Sequence, residues 1–381
     1  MIDIEFKNTP TINIDNKEEN YIYDFSPVRH HKSYFPIKIW KRLSNKILNE
    51  DIEFNKYLDG KGDKELRIEI AKYLSKSRGV KANYNNIIIT NGFISAMDMV
   101  AKFTKDSFDS LAIESPGYYI TETIFKEFGF RINKIDLDKD GISIDKLKNS
   151  NLKLVYITPS HQYPTGKIML ISKRLKLLEY IQSVNGYIIE DDYDSELNYS
   201  IRPIPSLQGL DNSDSVIYFG TFAKVLTPAI RVAYIHLPNR ILNKFENSYY
   251  KNFSQVSIST QKVLTKFIKD GYFDRHLRKM RAINRKKHNL LLESLENELK
   301  GLYQVVSKGA GLAILIYPTV KFDWEKFKEL ANKKSIKLYF ASRYNSSNFE
   351  AIRVGFGGFE LEEIPKAIKE FANIYKLSIN N

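Results

Sequence analysis

The stretch YFGTFAKVLTPAIRVAY, residues 218–234, decides how the rest of the chain is read. It begins as an apolar strand and runs into a loop bearing Thr221, Lys224 and Arg231. Lysine is the amine that makes Schiff bases with carbonyl cofactors, and it does so when a neighbouring cation or desolvation lowers its pKa. Arg231 suits that environment and can also clamp a phosphate. A lone lysine in such a loop means little, so the neighbouring segments must decide.

Working outward, short β-branched runs at 86–90, 111–114, 154–158, 187–190 and 216–219 alternate with helical patterns at 94–103 and 172–184. That alternation predicts an α/β fold with a mostly parallel central sheet covered on both faces, and ligands then gather at the carboxyl ends of the strands. Beyond about residue 270 the pattern changes to a charged helix at 275–299, then strands near 312–316 and 336–340 with helices between. This reads as a smaller α+β domain. The expected division is an N-terminal segment 1–44 packing with the small domain, a large domain 45–274 and a small C-terminal domain 275–381.

Three other segments carry polar groups to the same strand ends. YIIEDDYDSEL, 187–197, ends a buried strand in adjacent carboxylates that repel one another, so a cation must compensate if several stay ionised in a cleft. A protonated pyridine nitrogen is one such cation; a solvated acidic turn or a metal site fits this stretch equally. VYITPSHQYPTGKIM, 155–169, follows a strand with a Pro-Thr-Gly turn. IIITNGFISAMDMVAKF, 87–103, is strand, glycine turn and helix start, where backbone amides cradle phosphate, although most strand-to-helix turns contain a glycine.

Composition narrows the classes. The chain has no cysteine, which excludes disulfides, thiolate catalysis and zinc-thiolate sites, and its 6 histidines form no HExxH pair, so no metal is expected. A formal charge of +13 raises a nucleic-acid partner, but the lysines are dispersed with no basic stripe, which favours a solvated basic surface and no nucleic acid. No apolar run reaches membrane-spanning length, and the acidic, polar start is unlike a signal peptide, so a cytoplasmic protein is expected.

The four segments, in this order and spacing, resemble the class I/II aminotransferases of fold type I, whose cofactor is pyridoxal 5'-phosphate. More narrowly, TPSHQYPTG, EDDYDSEL and GTFAKVLTPAIRVAY are similar to the aminotransferase-like domain of the MocR branch of the GntR regulators. The likeness extends from YDFSP near residue 23 through YLDGKG and HLRKMR to IRVGFGGF near the end.

The resemblance implies a transaminase that moves an amino group between an amino acid and a 2-oxo acid through a Schiff base on Lys224. Asp191 is then the partner of the pyridine nitrogen, with Asp192 as its alternate, and Tyr193 the phenol on the cofactor's 3-oxygen. The phosphate falls to Thr221, Arg231 and the amides of Gly92, Phe93 and Ile94, with Tyr118 on the ring and Tyr163 beside it. Arg353 stands where an arginine grips the substrate carboxylate, and Tyr57 matches a tyrosine that reaches across a homodimer. Arg29 is the expected contact for an acidic substrate side chain. A sensor domain that binds without turnover, or a different reaction of the cofactor on an amino acid, uses the same site.

Several positions depart from the pattern. Ala223 replaces a serine, Phe93 and Ile94 replace polar residues near the phosphate, Ala313 replaces a histidine, and VRHH at 28–31 replaces a glycine-proline turn. Tyr163 stands where the common aminotransferase motif has Asn. No winged helix is expected in residues 1–40.

Overall fold

The computed structural model describes residues 20–50, 55–198, 204–307, 310–341 and 351–380. Its strands are β1 (Tyr23–Asp24), β2 (Ile87–Thr90), β3 (Ser110–Ser115), β4 (Arg131–Asp138), β5 (Gly141–Ile142), β6 (Leu154–Ile157), β7 (Tyr187–Asp191), β8 (Val216–Thr221) and β9 (Ala233–His236). They continue with β10 (Tyr303–Ser307), β11 (Ala313–Pro318), β12 (Ile336–Lys337), β13 (Tyr339–Ala341) and β14 (Ala351–Gly355).

Eight of them form one sheet in the order β2-β9-β8-β7-β6-β3-β4-β5. The pairs β3/β4, β3/β6, β6/β7 and β7/β8 are parallel, and each parallel step is bridged by a crossover that carries a helix, as parallel pairing requires. Successive strand residues feed opposite cores: Ile189, Ile217 and Phe219 pack on one side, Ile188 and Val216 on the other. With both faces buried, the strands read as continuous apolar runs. β9 was not singled out from the sequence. It lies antiparallel between β2 and β8, because the loop after β8 holds no crossover helix and must turn straight back.

The remaining strands make an antiparallel sheet, β10-β11-β14-β13, and a small parallel pair of β1 with β12. That pair places Tyr23 beside Ile336 and so ties the N-terminal segment to the C-terminal part of the chain. The run expected as one strand at 336–340 is broken into β12 and β13, which belong to different sheets. The charged helix is longer than its sequence pattern, Tyr272–Leu299, and the expected domain boundary after residue 274 falls in its first turn. Of the expected N-terminal segment, residues 1–19 lie outside the described residues.

Register sets the position of the site. Asp191 at the end of β7 pairs with Phe219 of β8, so the loop carrying Thr221 and Lys224 begins at the same sheet edge. A helix at Lys64–Arg78 starts on the Asp63 carboxylate, which accepts from the Leu66 N–H, and stops at Gly79 in the left-handed conformation. Its last residue, Arg78, is thereby delivered beneath β7.

Candidate active site

One cavity opens at the carboxyl ends of β6, β7 and β8, with the N-terminal segment and the antiparallel sheet closing its far side. Its walls include Gly92, Phe93, Tyr118, Tyr163, Asp191, Tyr193, Thr221, Lys224, Arg231 and Arg353, all expected at the site from sequence. Two expected residues are elsewhere among the described ones, while Ile94, expected to offer its backbone amide, keeps its place in the first turn of the helix Gly92–Lys105 with its side chain exposed. Tyr57 is 84% exposed, its ring edge-on to Phe253. Arg29 points away from the cavity, its guanidinium paired with Asp24 and half exposed. In this single chain, then, the expected substrate arginine is engaged with the protein itself.

The carboxylate run resolves by strand period. Glu190 and Asp192 turn to one face of the sheet and Asp191 to the other, because side chains alternate along β7. Glu190 accepts from the amides of Leu207 and Gln208 at 2.8 and 2.9 Å and faces Arg174 at 3.5 Å. Asp192 is held by Arg78 at 2.7 Å, the Tyr218 hydroxyl at 2.6 Å and Ser195 at 2.9 Å. Burial opposes its ionisation, but Arg78 and the hydroxyl donors outweigh burial and hold this carboxyl below the usual range. The turn is therefore neither solvated nor short of cations, and Asp192 is fully engaged away from the cavity.

Asp191 is different. One oxygen accepts from the buried Tyr156 hydroxyl at 2.5 Å, and the other, Oδ1, is buried without a partner. Burial, with Asp192 and Asp194 nearby, pushes this carboxyl up to about 8 despite the Tyr156 bond. Such an orphaned acceptor in a cavity calls for a cationic N–H, which is what a protonated ring nitrogen provides.

Lys224 leaves the loop after β8 as a half-buried residue, its amine 5.6 Å from the centroid of the Tyr193 ring. Desolvation lowers its pKa to about 8, with Asp194 opposing and Arg353 assisting. Tyr193 donates to the carbonyl of His161 at 3.1 Å, and His161 in turn meets Asp194 at 2.7 Å. Arg353 on β14 donates to the Tyr163 hydroxyl at 2.9 Å, with its guanidinium 4.5 Å above the same ring.

The fourth corner is electrostatically unusual. The helix Gly92–Lys105 begins at Asn91, whose side chain makes no capping bond, so its first amides are left over. Beside that positive end stands a further cation: Arg231, itself in the left-handed conformation at φ 50°, donates to the Asn91 carbonyl at 3.2 Å. A cation at a helix N-terminus is unfavourable unless an anion joins them. Gly92 has φ 79°, and a Cβ there would lie 2.5 Å from the Arg231 guanidinium, so glycine keeps this cradle open.

An open anion cradle, an orphaned carboxylate oxygen and an amine of lowered pKa face one cavity, and each matches one reactive part of pyridoxal phosphate: its phosphate, its ring nitrogen and its aldehyde. Fold and cavity together define the fold type I group of pyridoxal phosphate proteins. The chain belongs to the class I and II aminotransferase family, whose model matches residues 28–370; its cofactor is pyridoxal 5'-phosphate.

It is similar to the uncharacterized HTH-type transcriptional regulator YdeL of Bacillus subtilis, 34% identical over 97% of this chain and 80% of the relative. The probable rhizopine catabolism regulatory protein MocR of Rhizobium meliloti is 30% identical over 89% of this chain and 69% of its own. Among solved structures, a Pyrococcus horikoshii kynurenine aminotransferase superposes with a TM-score of 0.82 at 25% identity, covering 94% of this chain and 92% of that one. An archaeal alanine:glyoxylate aminotransferase superposes with 0.81 at 25% identity, covering 95% and 92%. No helix among the described residues is long and apolar enough to cross a membrane.

Sequence reasoning passed over Arg78, Tyr156 and His161, and named Asp194 only within the carboxylate cluster and His30 only as a candidate substrate contact. Arg78 and Tyr156 sit in a helix and a strand with no motif to flag them. His161 and Asp194 lay inside quoted motifs, and the signal available was their matched positions after adjacent strands.

Proposed function

We propose that the chain catalyses amino-group transfer between an amino acid and a 2-oxo acid. The observation that carries this reading is the convergence of Lys224, Asp191 and the Arg231–Gly92 cradle on one cavity that also holds Arg353. Bound pyridoxal phosphate supplies an aldehyde that condenses with primary amines and a ring that withdraws electrons from the bonded carbon. Arg231, Thr221 and the first amides of the Gly92–Lys105 helix would hold its phosphate. Asp191 would keep the ring nitrogen protonated, because its unpartnered oxygen would gain a charge-assisted bond only in that state.

Lys224 then acts twice. Its depressed pKa leaves a useful fraction neutral near pH 7, as a bond to the aldehyde would need, and as a free amine it would hold the substrate's α-proton at Nζ. Tyr193 faces the same amine and would turn its hydroxyl from the His161 carbonyl to the cofactor oxygen beside it, and Tyr118 would cover the ring. Arg353, already aligned by the Tyr163 hydroxyl, grips the α-carboxylate through its two-pronged guanidinium. Pro27, Val28, Leu312 and Ala313 are among the other lining residues and give the mouth an apolar side, which fits a neutral amino acid better than the acidic one expected from Arg29. The exposed Tyr57 and Phe253 support a homodimer in which Tyr57 serves the partner's phosphate.

A second reading, an amino-acid sensor that binds without turnover, is favoured by relatives named as transcriptional regulators. One experiment separates the two. Purified protein loaded with pyridoxal phosphate is mixed with a panel of amino donors, and conversion to the pyridoxamine form is followed by absorbance, then reversed with 2-oxo acids. Transamination predicts repeated cycles; spectral change without keto-acid release in every pairing would rule it out.

A further inference from the structure

The segment that carries Lys224 is neither helix nor strand. Within it the amides of Val225 and Leu226 both bond back to the Phe222 carbonyl, which leaves the next carbonyls in need of donors. Two imidazoles provide them. His30 Nε2 lies 2.9 Å from the carbonyl of Lys224, and His276 Nε2 lies 2.7 Å from that of Val225. A carbonyl only accepts, so each ring must carry its proton on Nε2.

The two histidines come from different places. His276 projects from the long helix Tyr272–Leu299. His30 arrives on the N-terminal segment, which is fastened to the antiparallel sheet: the amide of His31 donates to the Gly357 carbonyl at 2.9 Å, and that of Gly355 to the Phe25 carbonyl at 3.1 Å. The same segment places Pro27 and Val28 in the cavity wall. His30 stays neutral, since burial disfavours its charge and the amines of Lys287 and Lys224, with His276, face it. Its Nδ1 is buried without a partner, so the ring has no bond other than the one to Lys224 to hold it in place.

We propose that His30 and His276 are positioning residues for Lys224: by holding two successive carbonyls they fix the direction in which the lysine side chain leaves the backbone, and His30 makes that direction depend on the N-terminal segment at the substrate mouth. The inference rests on Lys224 being the cofactor lysine. Neither histidine touches the reacting atoms.

The test compares two ligands that share one site. Pyridoxal 5'-phosphate bonds to Lys224, whereas pyridoxamine 5'-phosphate fills the same cradle without an aldehyde and ignores the lysine. Dissociation constants are measured for wild type, His30→Ala and His30→Gln, and for the matching His276 variants. His30→Ala is expected to weaken pyridoxal phosphate about tenfold, the size of one lost buried hydrogen bond, and to leave pyridoxamine phosphate within about twofold. Glutamine reaches the same carbonyl with an amide N–H and restores most of the loss.

Equal weakening of both ligands, no weakening, or no rescue by glutamine overturns the proposal. If His30→Ala is not recovered folded, His30→Asn, too short to reach, takes its place against His30→Gln. A wild type that binds pyridoxal phosphate without any spectral sign of a bond to lysine would instead defeat the reading of Lys224, and this inference with it.

Discussion

The two ends of the cavity are built differently. At the cofactor end, Asp191, Thr221 and Lys224 follow directly from adjacent strands of one sheet, and Arg231 leads into the next. At the substrate mouth, Val28 belongs to an irregular segment and Arg353 to the antiparallel sheet, so the groups depend on how two parts of the chain meet. In regular strands the period of two tells which neighbour faces the ligand. In an irregular segment nothing does. VRHH shows this directly: only Val28 lines the cavity, while Arg29 turns to Asp24, His30 to the Lys224 carbonyl and His31 to Ser33 and Glu360.

The largest effect that would break this contrast is at Lys224. Lys224→Ala should abolish the spectral signature of cofactor bonded to lysine and lower any transamination by at least roughly 10²-fold, with the fold retained. A variant whose cofactor still survived dialysis with that signature would move the cofactor lysine elsewhere. In wild type, capture of pyridoxal phosphate by the apoprotein should rise with pH around about 8, where the amine loses its proton, rather than near the 10.5 of an ordinary lysine.

Next comes the pair of neighbouring aspartates. Asp191→Asn should lower turnover by roughly 10² while leaving thermal stability nearly unchanged, because an amide cannot compensate a ring cation. Asp192→Asn should do the reverse, costing about 3–5 kcal/mol of stability by stranding Arg78. Asp192 has a folded pKa below its unfolded one, so its contribution is present above the ordinary carboxylate range and lost as pH falls through the folded value. Denaturant melts from pH 3 to 7 should therefore show less acid sensitivity in Asp192→Asn. If the two variants exchanged behaviours, the strand register would be off by one residue.

A smaller change is expected at the mouth. Arg353→Lys should weaken amino-donor binding about 10-fold by losing the bidentate grip, with the cofactor still bound. Smallest is Arg29→Ala. With Arg29 held by Asp24 outside the cavity, half-reaction rates with acidic and neutral donors should fall by less than about twofold and by the same factor, since surface changes have small effects. A selective loss for acidic donors would restore Arg29 as a side-chain contact and sharpen the mouth into a second specific site.

What could be read beforehand follows the same division. Strand positions, the α/β class and the residues at strand ends were legible because apolar runs and their bounding motifs are local. β9 was missed because its direction depends on the length of the loop before it, and the split of 336–340 because tertiary pairing divides it between two sheets. Which of Asp191 and Asp192 faces the cavity was open until Arg78 and Tyr218 appeared beneath the sheet. No local signal links a helix end near residue 78 to a strand end near 192.

The uncapped start of the Gly92–Lys105 helix, with Arg231 beside it, has a consequence at the bench. A doubly positive cradle does not distinguish the tail of a cofactor from a free oxyanion of the same shape. Phosphate or sulfate in a buffer should therefore compete for it, raising the apparent dissociation constant of pyridoxal phosphate in proportion to the salt present. Cofactor affinities measured in phosphate and in a zwitterionic buffer will differ, and dialysis against phosphate offers a mild route to the apoprotein.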